Sequence, residues 1–463
     1  MKQNIFTLSM ALVISLCTHT ANAQQPELKQ IKNLKRGIME FQQTTPDWSL
    51  SANMYEVNVR QFTPEGTLNA FSKHLPRLSQ MGVKIIWLMP VQPIGIKNRK
   101  GTLGSYYSIR DYMAINPEMG SMEDFVNLVK NAHGLGIKVI LDWVANHTAW
   151  DHPWVSNNPD FYTKNEKGEM IPPVADWADV VDLNYDNPAM RRAMTDAMLF
   201  WVKAADIDGF RCDVADMVPS DFWRQTRKEL DAIKPVFMLA EAENPEMHVN
   251  GFDMTYAFSQ HHIMNEIAKG EKNALAIDEY RAEQEKTFKP MFTRMYFTSS
   301  HDENSWSGSE YERMGDGALA FAVLTFGMDG MPMIYSGQEA ALKKRLDFFE
   351  KDEINWGDFP LNDFYTRLLK LKANNGALHH AGAGGKFVKI NTSNDKDVYV
   401  FARVTENEKV LFILNLSKKA HKVNINDVNL AGEYLELFTE KKSKLSAKAM
   451  LSLKPWEYQV WVK

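Results

Sequence analysis

The chain has 463 residues, too many for one ordinary domain and enough for a barrel with a smaller domain beside it. Its 44% hydrophobic and 24% charged content is that of a soluble globular protein. A formal net charge of -5, with no Lys/Arg-rich block, excludes the basic footprint of a nucleic-acid binder.

Taken in chain order, the first residues carry Lys2, an apolar stretch from Ile5 to Cys17, and then Ala21-Asn22-Ala23. That order predicts a secretory signal peptide over 1–23, cleaved after Ala23, and a secreted or periplasmic protein. The apolar stretch is too short to span a bilayer, and no transmembrane segment is predicted in the mature chain. Cys17 raises a lipoprotein alternative, but Leu16 before it is larger than a lipobox prefers. Cleavage would leave Cys212 as the one cysteine, without an internal disulfide.

Residues 24–49 read as a polar lead-in. From Ala52, strand-like and helix-like stretches alternate. Met54 to Val59 reads as a strand, and Phe71 to Met81 as a helix stopped by Gly82. Val83 to Met89 is an apolar run suited to a parallel strand buried on both faces. Helix 124–135 and strand 138–142 follow, then helix 188–204, strand 208–214, helix 222–233 and strand 236–240. Residues 251–258, 295–299 and 331–336 complete eight strands. The alternation predicts a (β/α)8 TIM barrel in a catalytic domain over 24–384. Residues 148–187 break the rhythm and read as a short excursion capping the mouth after strand 3. Beyond 385, aromatic and β-branched runs without helices predict a C-terminal antiparallel β-sandwich domain over 385–463.

Four segments that end strands carry the chemistry: Asp142-Trp143-Val144-Ala145-Asn146-His147, Gly209-Phe210-Arg211-Cys212-Asp213, Leu239-Ala240-Glu241 and Ser300-His301-Asp302. A barrel unit takes about 31 residues. Asp213 to Glu241 is 28 residues, one unit, and Glu241 to Asp302 is 61, two units. Three carboxylates therefore reach one mouth. Strand alternation puts Arg211 and Asp213 on the inward face, where the guanidinium is expected to keep Asp213 ionised and nucleophilic. Cys212 then faces the helices as a buried small hydrophobe. Glu241 closes an apolar run, which favours a raised pKa and proton donation; Glu243 is its rival. Asp142, earlier on its strand than His147, is expected to brace the mouth. Two carboxyls about 5 Å apart, one nucleophilic and one protonated, are the machinery of a retaining glycosidase. No His-x-His or Cys-rich spacing accompanies them, so metal-dependent hydrolysis ranks lower.

In this order the segments resemble the conserved regions of the α-amylase family of glycoside hydrolases (family 13), from about Ala52 to the end. The resemblance implies Asp213 as nucleophile, Glu241 as general acid/base and Asp302 as transition-state stabiliser. It implies substrate-binding roles for Arg211, which orients the nucleophile, and for His147, His301 and the stacking Tyr107. Gly330 to Glu339 resembles the family's last strand and loop, and 148–187 its domain B. Ser300 departs from the Asn common before His-Asp. No cofactor is required and no metal ligand is assigned; a structural calcium near Asn146, Asp176, Asp179 and Asp182 is left open. The implied substrate is an α-glucan or maltooligosaccharide, cleaved at α-1,4 bonds. A transglycosylase with the same site is the alternative, with Trp306 as a candidate lining of the acceptor side. A binding subunit that has lost catalysis ranks last, because all three carboxylates are present.

Overall fold

The computed structural model describes residues 45–463. The expected signal peptide lies outside the described residues. Eight parallel strands close a barrel: β1 (Met54–Val57), β2 (Ile85–Leu88), β3 (Lys138–Trp143), β6 (Gly209–Cys212), β7 (Phe237–Ala240), β8 (Met254–Tyr256), β9 (Thr293–Phe297) and β10 (Met331–Tyr335), with β10 returning to β1. Between β3 and β6 lies the small insertion, built on an antiparallel pair, β4 (His147–Ala149) and β5 (Val180–Asp182).

Period-two alternation divides the barrel into two cores. Met54, Ile85, Ile140, Phe237, Met254 and Met331 point inward and pack on one another. Tyr55, Ile86, Leu141, Phe210, Cys212 and Met238 point outward into the larger core shared with the helices. Cys212 is buried there with a free thiol, and burial raises its pKa. It is a packing residue.

Most helices begin and end where local chemistry directs. Ser121 and Asp124 form a reciprocal capping box at the start of Met122–Gly134, and Asn187 caps Pro188–Ala205. The single helix expected over Phe71 to Met81 is two helices, Leu68–Ser72 and Leu75–Met81. Pro76, in the first turn of the second, supplies no N–H to continue the first. Gly82 ends it at φ 100°. Gly209 admits no side chain, since a Cβ there would lie 1.8 Å from the Phe237 carbonyl oxygen on the neighbouring strand. Helices Phe258–Lys269, Leu275–Thr287, Ala318–Gly327 and Asn362–Asn374 complete the later units.

The C-terminal domain is antiparallel. Its six-stranded sheet runs β11 (Lys386–Ile390), β12 (Val398–Val404), β13 (Lys409–Asn415), β18 (Tyr458–Val462), β15 (Gly432–Glu436), β16 (Lys442–Leu445). A two-stranded sheet, β14 (His421–Asn426) with β17 (Lys448–Leu453), covers one face, and Val400, Leu411, Ile413, Val423 and Ile425 pack between them. No helix among the described residues is long and apolar enough to cross a membrane.

Candidate active site

The parallel register sets Asp142 on β3 beside Arg211 on β6, and Arg211 beside Leu239 on β7. One residue beyond each strand end, Asp213 N donates to the Trp143 carbonyl at 2.9 Å and Glu241 N to the Cys212 carbonyl at 3.0 Å. The carboxylates at 213 and 241 are thus held by backbone extensions of the barrel ladder.

Arg211 is fully buried, and its fork organises the mouth. Nη1 donates to Asp142 Oδ1 and to Asp213 Oδ1, each at 2.9 Å. Nη2 lies 2.6 Å from Glu241 Oε1, an ion contact without hydrogen-bond alignment. Nε donates to the Tyr256 hydroxyl at 3.1 Å, and the guanidinium lies 5.0 Å from the centre of the Trp87 ring. Burial disfavours the charge on Arg211, but Asp142 and Glu241 more than compensate and its pKa is raised.

Asp213 and Glu241 therefore sit on the two arms of one guanidinium. Val214, directly after Asp213, adopts the left-handed conformation at φ 38°, rare for a β-branched residue, and its N–H donates to Glu241 Oε2 at 2.8 Å. The Asp213 pKa is raised well above the ordinary carboxyl range, by burial first and by Glu241 next; Arg211 opposes both. This corrects the expectation that Arg211 alone would keep Asp213 ionised. Asp213 is buried with Glu241 beside it on the same guanidinium, and both features favour its neutral form. Glu243, the rival acid, is occupied elsewhere, paired with Arg294 and accepting from Ser259 N and Oγ at 2.8 Å.

On the opposite rim, His301 Nδ1 lies 2.5 Å from Glu56 Oε1, and Nε2 is 2.7 Å from the Tyr107 hydroxyl. Burial works against the imidazolium, yet the Asp302 and Glu56 carboxylates outweigh it and push the His301 pKa up to about 9. A protonated His301 donates from both nitrogens, leaving the Tyr107 O–H to donate to Asp142 Oδ2 at 3.0 Å. Tyr107 also stacks on His301, with ring centroids 5.3 Å apart. Asp302 has a side chain 48% exposed, at 3.4 Å from His301 Nε2. Its pKa is raised by desolvation within the cleft and by Glu241, against His301 and Arg211. The three carboxylates thus lie within electrostatic reach of one another. His147 is buried beside Asn146, with its ring centroid 5.5 Å from that of Trp177. Burial lowers its pKa to about 4, so it is neutral.

Comparison with known proteins gives the family. Residues 39–178 and 174–359 match the family described as Alpha amylase, catalytic domain, and residues 398–458 match the Alpha-amylase SusG C-terminal domain. The chain belongs to the α-amylase family of glycoside hydrolases. Alpha-amylase MalA of Haloarcula japonica is 27% identical over 400 residues, spanning 82% of this chain and 57% of that protein. Alpha-amylase 3 of Dictyoglomus thermophilum is 27% identical over 457 residues, spanning 82% and 87% respectively. The crystal structure of a noncanonic maltogenic alpha-amylase, AmyB from Thermotoga neapolitana, aligns with a TM-score of 0.81 at 27% identity, covering 90% of this chain and 99% of that one.

Three partners in this α-amylase-family site escaped the sequence reading. Glu56 sits in the apolar strand β1 and faces inward by the same alternation as Met54, a signal that was available. Trp87, whose Nε1 donates to Asp142 at 3.0 Å, and Tyr256 read as ordinary core aromatics. Asp142 accepts from Trp87, Tyr107 and Arg211 and is fully buried, beneath the mouth. Ser300 Oγ accepts from Glu303 N at 3.2 Å and supports the turn after Asp302.

Several of the residues considered for calcium pair with protein groups. Asn146 Nδ2 donates to His147 at 3.2 Å. The Lys100 ammonium lies 3.1 Å from Asp179 Oδ1 and donates to the Asp176 carbonyl at 2.8 Å, bringing a positive charge to those oxygens. Among the described residues, His261, His262 and Glu303 bring three metal-binding groups together, but Arg313 Nη1 contacts His261 Nε2 at 2.9 Å. That guanidinium opposes a second cation.

Proposed function

We propose that the protein hydrolyses α-1,4-glucosidic bonds of starch-like glucans or maltooligosaccharides with retention of configuration. The observation that carries the reading is the placement of Asp213 and Glu241 on the two arms of the buried Arg211, with Asp302 within electrostatic reach of Glu241. In this reading Asp213 supplies the nucleophile and Glu241 the acid. In the first step an Asp213 oxygen bonds to the anomeric carbon as the glycosidic C–O bond breaks, and Glu241 gives its proton to the departing sugar oxygen. In the second, water attacks the same carbon, Glu241 accepts the water's proton and Asp213 is released. Asp302 fits the role of holding ring hydroxyls and balancing positive charge as the bond breaks, with His301 and Tyr107 holding the same ring.

The test is product analysis over time on maltoheptaose and amylose, with the anomer of the first product read by NMR. Shorter fragments released as the α-anomer support retaining hydrolysis, and longer or branched products would assign transfer instead. Asp213→Asn is expected to keep the melting temperature and lose turnover by about 10^4-fold or more. Wild-type rates in that variant would remove Asp213 from the chemistry.

A further inference from the structure

Trp306 is 54% exposed, although it lies immediately beyond the catalytic mouth in the turn Glu303–Ser307. Single exposed apolar side chains are ordinary; what sets this indole apart is the aromatic row it ends beside the carboxylates. The turn is rigidly held. Asn304 Nδ2 donates to the Lys344 carbonyl at 3.1 Å, its Oδ1 accepts from Leu346 N at 2.8 Å, and Ser305 Oγ donates to the Leu346 carbonyl at 2.8 Å. The ring itself rests on Phe348 and Phe349, at centroid separations of 5.0 and 5.7 Å. Phe348 in turn lies parallel to Tyr107 at 6.2 Å. An aromatic rim therefore runs from His301 through Tyr107 and Phe348 to Trp306. At its end the indole Nε1 donates to Asp302 Oδ1 at 3.2 Å.

We propose that Trp306 is a specificity-determining platform. Its open face takes a glucose ring neighbouring the one held at the carboxylates, while its N–H orients Asp302. The apolar C–H face of a glucose ring matches an exposed indole, and a fixed ring loses little entropy on binding. The assignment rests on the glucan-cleaving reading and extends it to a second sugar unit.

The test uses Trp306→Ala and Trp306→Phe in the full chain. Steady-state kinetics are measured on maltoheptaose and maltotriose, and maltoheptaose binding by calorimetry in an Asp213→Asn background. Trp306→Ala is expected to raise KM and weaken binding for maltoheptaose at least about tenfold, or 1.4 kcal/mol, with a smaller loss on maltotriose. Trp306→Phe keeps most of the affinity. Having lost the N–H donor, it moves the acid limb of the pH profile to higher pH, because the Asp302 carboxylate is less stabilised. Unchanged maltoheptaose binding in Trp306→Ala overturns the platform, as does an equal loss on both chain lengths. An unmodified protein that cleaves no glucan sinks the hydrolase reading alone, since the binding comparison still decides the platform.

Discussion

Among the described residues Arg211, Arg227 and Arg403 are fully buried, and the first and last of them are held by different chemistry. Arg211, at the barrel mouth, is ringed by the carboxylates of Asp142, Asp213 and Glu241. Arg403, on β12 where the C-terminal domain meets the barrel, is held mostly by backbone carbonyls. Nε donates to Gly385 at 3.1 Å, Nη1 to Met328 at 2.9 Å, and one carboxylate, Asp329, lies at 3.0 Å. The surroundings raise the Arg211 pKa, whereas burial lowers that of Arg403. A ring of carboxylates stores charge that a reaction can use. A ring of carbonyls satisfies donors and ties two domains together, with no surplus charge to spend.

Substitution should separate the two sites. Arg211→Lys keeps the positive charge and loses the fork that spans two carboxylates, so kcat should fall by about 10^3 while the fold persists. Arg403→Met should do the reverse, lowering unfolding free energy by about 3 kcal/mol as buried carbonyls lose their donor. Its kcat per folded molecule should stay near wild type. Urea unfolding read beside active-site titration checks both, and a large kcat loss in Arg403→Met would break the contrast.

A smaller effect comes from the rim charge on His301. Its pKa is about 9 in the folded chain, against about 6.5 unfolded. A raised pKa contributes stability that is full below about 6.5 and disappears as pH rises through about 9. Thermal melts between pH 6 and 10 should show that alkaline loss, and His301→Gln should flatten it. The smallest expected change is none. With Lys100 on the Asp176 and Asp179 oxygens, EDTA should leave both the melting temperature and activity as they were. A drop restored by calcium would show that a metal holds the insertion after all.

Sequence alone determined a good part of this. Inward and outward positions are a period-two property of each strand, so the facing of Arg211, Asp213 and Cys212 was legible from local alternation. So were the eight strands and the break after β3, since buried parallel strands are continuous apolar runs. The divided helix at 68–81 was missed because Pro76 fits a first helical turn as readily as it interrupts a longer helix. What only tertiary structure decided is non-local: how strands align in register, and which loops meet. The Asp213 pKa is raised by burial in the assembled mouth and then by Glu241 at the end of the next strand. Glu56 becomes the partner of His301 across 245 residues, Lys100 reaches into the insertion, and Trp306 comes to lie on Phe348. Each depends on packing between segments far apart in the chain, which places in contact side chains that no local period relates.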